Sequence, residues 1–190
     1  MKVLLMEATF DPRLIRQSLP NYLASIQGED IQLYLFTSSQ CYSLIPENIR
    51  NQLAGVKIFD NYYQSPEVEW EALKLYQTFP YERLVALREF DLLRAARLRE
   101  QFALPGQPYA VSLTFRDKYI MKHQAKQAGF PTPEFSAVDN ASELYRFAHQ
   151  QKFPIIVKPR LKAGGLGFTI LQNESDIANY LNALTSFVIA

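Results

Sequence analysis

The sequence predicts an α/β protein in which a small parallel sheet flanked by helices is followed by a second region built on a strand–loop–strand element. Three observations predict it. Short apolar runs alternate with segments of helical period through the first half of the chain, the rhythm of a parallel sheet. Leu104-Pro105-Gly106-Gln107-Pro108 then places two prolines and a glycine in five residues, which stops one helix and delays the next. Beyond it, residues 153–171 read as strand, loop, strand. The chain therefore divides into regions 1–105 and 106–190.

Lys2 to Glu7 is a short apolar strand, and after it Leu14 or Ile15, Leu19, Leu23 and Ile26 recur at helical spacing, with Pro20 as a kink position. Ile31 to Phe36 is a second strand, Pro46 to Leu53 a short helix and Val56 to Phe59 a third strand. Val68 to Phe79 has helical spacing, Leu84 to Leu87 is a fourth apolar run, and Phe90 to Phe102 is a helix with Leu93, Ala96 and Leu98 on its apolar side. Beyond the linker, Thr114-Phe115-Arg116-Asp117 reads as a capping box with Asp in place of Glu. It opens a helix running to Gly129, with Ile120 or Met121, Ala125 and Ala128 as its stripe. Glu134 to Val138 is a short strand, Asn140 caps a helix carrying Leu144, Phe147 and Ala148, and Asn173 caps a last helix with Ile177, Tyr180 or Leu181, and Leu184. Ser186 to Ala190 is a strand-like apolar run without a polar tail, so the natural chain is expected to continue or to be completed by another.

Residues 153–171 carry the most chemistry. Ile155 to Val157 and Phe168 to Leu171 bracket a loop holding three of the seven glycines of the chain, Gly164, Gly165 and Gly167, beside Lys158, Arg160 and Lys162. Glycines let a ligand approach the backbone closely and the cations suit a polyanion, so phosphate is the expected ligand. A Walker loop is excluded, because the glycines lead into an apolar strand and not a helix. The dinucleotide fingerprint fails too, since Ile170 stands where its third glycine belongs. What remains is a glycine-rich flap between two strands, or a plain hairpin with a flexible tip. The turn after the first strand, Ala8-Thr9-Phe10-Asp11-Pro12, has no glycine, which argues against a phosphate there.

Twenty basic against nineteen acidic residues leave a formal charge of +1, so no global field draws the protein to nucleic acid or an anionic membrane. Any anion must be recognised locally. Glu7 follows only four apolar residues, too soon for a leader or a membrane span, and the expected location is the cytoplasm. The single cysteine, Cys41, excludes an internal disulfide framework and reads as a small buried residue. His123 and His149 fall in helical segments with no nucleophile arrangement around them.

Two lysines stand out. Lys118 lies in the first turn of its helix, where a cation opposes the macrodipole by about 0.3–1 kcal/mol unless an anion offsets it. Lys158 ends an apolar strand between Val157 and Pro159, where period-two alternation aims it to one face. Glu89 follows the fourth strand at the carboxyl end of the sheet, where α/β folds place ligands; a helix-start carboxylate explains it equally well. Arg94, Arg97 and Arg99 could meet a carboxylate substrate or a partner subunit, with a solvated basic face as the default reading.

Arg116-Asp117-Lys118-Tyr119-Ile120-Met121-Lys122, then Ala128-Gly129-Phe130-Pro131-Thr132-Pro133, then Phe153-Pro154-Ile155-Ile156-Val157-Lys158-Pro159 and the glycine loop, in that order, resemble the first half of an ATP-grasp domain. Upstream, Glu89 and the run from Arg94 to Gly106 resemble the end of the Rossmann-like pre-ATP-grasp domain of carboxylate–amine ligases. The resemblance implies a pre-ATP-grasp domain followed by the α+β small subdomain of an ATP-grasp fold. It implies that Lys118 and Lys158 hold the α- and β-phosphates of ATP. The loop with Lys162, Gly164, Gly165 and Gly167 would then close over the β- and γ-phosphates.

The implied cofactors are ATP and magnesium, with the metal ligands and the adenine hinge at or beyond the end of this chain, so that residues 1–190 alone are expected to be inactive. The implied reaction activates a carboxylate as an acyl phosphate for attack by an amine, with an amino acid as one candidate substrate; the catalytic residues stay unassigned. Glu89 is the candidate substrate residue. Partners would be small carboxylates and amines, with neither nucleic acid nor membrane, and a homodimer is compatible with the family. Two alternatives stay open: a carboxylase or other small-acid enzyme of the same architecture, and a non-catalytic module that binds a nucleotide or a protein.

Overall fold

The computed structural model of the chain describes residues 1–9, 11–26 and 30–185, which form two compact units, Met1–Ser112 and Leu113–Ala190. In the first unit, β1 (Lys2–Met6), β2 (Gln32–Ser38), β3 (Gly55–Phe59) and β4 (Arg83–Ala86) form one sheet of order β3-β2-β1-β4. Every pairing is parallel, with Leu4 opposite both Tyr34 and Leu84. The chain steps outward from β1 to β2 and β3, then crosses back to lay β4 on the other side of β1. The carboxyl end of β1 is thus the point where the strand order reverses.

Parallel strands covered on both faces bury both sets of side chains, and Val3 to Met6 and Leu35 to Ser38 are buried without alternation. Helix α1 (Ile15–Ser25), entered through a 3-10 turn at Pro12–Leu14, buries Ile15, Leu19 and Leu23 at four-residue spacing and runs on through Pro20. Ser38 caps α2 (Ser39–Ser43), accepting the Cys41 N–H at 3.2 Å. The sequence did not predict this helix, because five residues are too few to show a period. The helix expected over 46–53 is only α3 (Glu47–Arg50). Helices α4 (Glu67–Thr78) and α5 (Leu92–Gln101) bury Val68, Ala72, Ala95, Ala96 and Leu98. Cys41 is buried, its sulfur accepting the Thr9 N–H at 3.5 Å. Helix α6 (Tyr109–Arg116) starts in this unit, where the Tyr109 N–H donates to Glu100 Oε1 at 2.7 Å.

In the second unit, α7 (Lys118–Gln127), α8 (Ala141–Gln151) and α9 (Glu174–Thr185) accompany an antiparallel pair, β5 (Ile155–Val157) and β6 (Thr169–Leu171). Leu144, Ala148, Ile155, Leu171 and Ile177 form its core. Asn140 and Asn173 cap α8 and α9 as expected, each accepting the N–H three residues on. Two expectations are corrected. The single helix from Thr114 to Gly129 is two, because Asp117 is extended (φ −89°, ψ 111°) and is itself the N-cap of α7, not the last residue of a capping box. Glu134 to Val138 forms no strand, since among the described residues no strand pairs with this segment. No residue of α7 is fully buried, because α8, α9 and the strand pair build the core. The strand expected at 186–190 lies outside the described residues. Among the described residues no helix is long and apolar enough to cross a membrane.

Candidate functional site

The break between α6 and α7 positions the first cations. Asp117 Oδ1 accepts the N–H groups of Tyr119 (2.9 Å) and Ile120 (3.2 Å), which satisfies two orphan donors at the start of α7 and leaves Lys118 as its first residue. The Lys118 N–H donates to the Arg160 carbonyl at 3.2 Å. Its ammonium donates to the carbonyls of Pro159 (3.1 Å), Arg160 (3.3 Å) and Lys162. The guanidinium of Arg116, a buried residue, donates to the Leu161 carbonyl. All four carbonyls from Pro159 to Lys162 therefore accept hydrogen bonds from Arg116 or Lys118.

Arg160 returns to Asp117 through two contacts, Nε to Oδ1 at 3.1 Å and Nη2 to Oδ2 at 2.6 Å. Burial of the Asp117 carboxylate works to raise its pKa, but Arg160 and the two helix N–H groups outweigh it and the carboxyl sits below its ordinary value. One turn along α7, Lys122 is pushed below the ordinary lysine value by burial and then by the charge of Lys158. Its ammonium lies 5.3 Å from the ring centre of Phe135. Lys158 is thus near enough to Lys122 to disfavour its charged form.

Beside these cations the strand pair offers an apolar surface. Ile156 and Ile170 are cross-strand partners and stay 59% and 46% exposed, whereas their neighbours Ile155 and Leu171 point into the core. By strand alternation Lys158 is on the Ile156 side. Phe168, also exposed, precedes β6. In the intervening loop Gly164, Gly165 and Gly167 all have left-handed φ of 65°, 72° and 76°. A Cβ at Gly164 or Gly165 would meet nothing within 4 Å, so the backbone there is open to a ligand, while at Gly167 it would press on Pro159 at 3.2 Å.

The structure thus gathers Lys118, Lys158, Lys162 and the glycine loop into one unit. Glu89, described within the first unit, is exposed in the turn after β4. Sequence reasoning missed Lys122, Arg116, Asp117 and Arg160 as site residues. The signal for Asp117 was present, since an Asp immediately before a helical run is an N-cap candidate; Arg160 shows its role only once the loop folds back. A polar groove of about 470 Å³ lies between the 134–139 segment and α8, with Glu134, Asp139, Glu143 and Arg146 on its wall. Among the described residues no group of three His, Cys, Asp or Glu side chains could hold a metal ion.

The second unit thus holds a helix-start lysine, a strand-end lysine and a glycine loop beside an exposed apolar strand face. Residues 117–188 match the family described as carbamoyl-phosphate synthase L chain, ATP binding domain. The L-arginine-specific L-amino acid ligase of Bacillus subtilis is 28% identical over 101 residues, covering 53% of this chain and 24% of that protein. The solved L-amino acid ligase of Bacillus licheniformis covers 97% of this chain with a TM-score of 0.67 at 18% identity. The biotin carboxylase domain of 2-oxoglutarate carboxylase from Hydrogenobacter thermophilus, solved with MgADP, ADP and bicarbonate, covers all of it with a TM-score of 0.68 at 22% identity. At these identities the two structures show the fold. The chain spans about a quarter of the length of the Bacillus subtilis relative, and 42% and 41% of the two solved chains.

Proposed function

We propose that the chain is the N-terminal part of an ATP-dependent carboxylate–amine ligase acting on an amino acid. One observation carries the reading: the Lys118 ammonium is bonded to the base of the open glycine loop just after Lys158, next to the exposed Ile156–Ile170 face, which offers adjoining surfaces to phosphate and an apolar base. ATP fits this donor set. The ammonium groups of Lys118 and Lys158 hold the α- and β-phosphates, the N–H groups of the loop and Lys162 cover the β- and γ-phosphates, and the Ile156 side supports the base. Magnesium, when bound, screens the phosphate charge; the described residues supply no cluster for it. The protein works by alignment and charge stabilisation, placing a substrate carboxylate in line with the γ-phosphate so that its oxygen attacks phosphorus, ADP leaves, and an amine then displaces phosphate from the acyl phosphate. Glu89, at the carboxyl end of the parallel sheet, is the candidate for meeting the substrate.

The amino-acid preference is supported by the two ligases among the relatives. Bicarbonate or another small acid is the second reading, supported by the carboxylase domain solved with bicarbonate. The test is release of ADP and phosphate by the full-length protein against panels of amino acids and of small acids including bicarbonate. Amino-acid-dependent release that Lys158→Ala lowers by about tenfold or more supports the ligase. Release dependent on bicarbonate alone favours the second reading, and no release with either panel removes both.

A further inference from the structure

We propose that Asp117 and Arg160 form a positioning pair that sets the base of the glycine loop against the start of α7, so that Lys118 and Lys158 address the same phosphate chain. The inference rests on the phosphate reading above for its purpose, but its geometry stands alone. One carboxylate, only 7% exposed, does two tasks: Oδ1 caps α7, and both oxygens engage the fork of Arg160. A bidentate guanidinium fixes direction as well as distance. Arg160 stands two residues after Lys158 and two before Lys162, so its anchoring fixes the segment that links the strand-end lysine to the flap.

The remaining contacts differ in kind. Lys118 reaches the carbonyls of Pro159, Arg160 and Lys162 through its mobile ammonium. An incoming phosphate competes for that ammonium, because a charge-assisted bond to an anion outweighs neutral carbonyls. As Lys118 turns to phosphate it loosens its hold on the loop, while Asp117, an anion itself, keeps Arg160 at the loop base. The pair is therefore the fixed point about which the flap moves. Arg160 acts as a positioning residue, its Nε and Nη2 both being taken by Asp117.

Millisecond hydrogen exchange on the full-length protein tests the pair without nucleotide. Arg160→Gln and Asp117→Asn, the latter retaining a capping oxygen, are each expected to speed exchange of amides 161–167 roughly tenfold, the scale of one lost charge-assisted contact. The double variant is expected to be no faster than either single, since both remove one interaction, and the amides of α7 are expected to keep wild-type exchange. Wild-type exchange in Arg160→Gln, or effects that add in the double variant, overturn the proposal. The MgATP concentration that half-protects these amides is expected to rise about tenfold in Arg160→Gln and to be partly restored in Arg160→Lys; an unchanged concentration also overturns it. If MgATP protects nothing in the wild type while Arg160→Gln still loosens the loop, the pair stands as a loop anchor and the phosphate reading falls.

Discussion

Glu7, fully buried just past the carboxyl end of β1, accepts both Nε (2.8 Å) and Nη2 (2.6 Å) of Arg88 on a single carboxylate oxygen, Oε1. The bond ties together the two loops that leave the sheet where its strand order reverses. The first prediction follows from its asymmetry. Arg88→Met should leave the Glu7 charge buried without its cation and destabilise the first unit by about 3 kcal/mol, the low end for a broken buried pair because Arg88 keeps some solvent contact. Glu7→Gln added to Arg88→Met should recover part of the loss. Urea midpoints of the three proteins check this, and equal loss in the single and double variants would sink it.

Asp91 gives a pH prediction. Burial raises its pKa from 3.8 to about 6, opposed by Arg94 and the Tyr62 hydroxyl and assisted by the charge of Glu7. A carboxyl whose pKa is higher folded than unfolded binds extra protons in the native state, so its ionisation opposes folding. Its contribution is most favourable below about pH 4 and declines as pH rises through about 6, by at most about 3 kcal/mol for a shift of this size. In denaturation series from pH 4.5 to 7, wild-type stability should fall relative to Asp91→Asn. A constant difference between the two would contradict the assignment.

Why some of this was legible in the sequence and some was not has physical reasons. The central strands β1 and β2 were readable because buried parallel strands are apolar runs, the edge strands β3 and β4 from shorter apolar runs, and α1 because Ile15, Leu19 and Leu23 repeat at four. Lys118, Lys158 and the glycines were readable because residue type alone marks them. Three things were not. The strand expected at Glu134 to Val138 had the right composition but no partner, and pairing is non-local. Asp117 was read as the far end of a cap when it is the cap. Glu7, Arg88, Arg116 and Arg160 act through partners as many as 81 residues away, which no local pattern encodes.

The loop glycines separate strain from packing. Gly165 has φ 72° and open space where a Cβ would stand, so Gly165→Ala should cost only the backbone preference, about 1–2 kcal/mol if the loop keeps its path. An exposed loop can instead shift, so the melting temperature should barely change while protection of residues 161–167 by MgATP weakens. Unaltered nucleotide protection in Gly165→Ala would mean that the left-handed path is not what the ligand needs.

Lys158→Ala should uncouple stability from binding. Lys122 is held below the ordinary lysine value by burial first and by Lys158 second, so removing Lys158 should raise the Lys122 pKa, readable by NMR titration of the lysine side chains. The sign for folding follows. A lysine whose folded pKa is depressed opposes folding when protonated, below that pKa; relieving the repulsion should leave the variant at least as stable as wild type at neutral pH. Affinity should move the other way. Losing a charge-assisted contact worth roughly 1.5–3 kcal/mol should lower ATP affinity or turnover of the full-length protein by about one to two decades. Inorganic triphosphate should show the same loss, which adenosine should not, because the apolar Ile156–Ile170 face is untouched. If ATP, triphosphate and adenosine all bind the variant as they bind the wild type, Lys158 ends its strand for structural reasons only and the phosphates lie elsewhere.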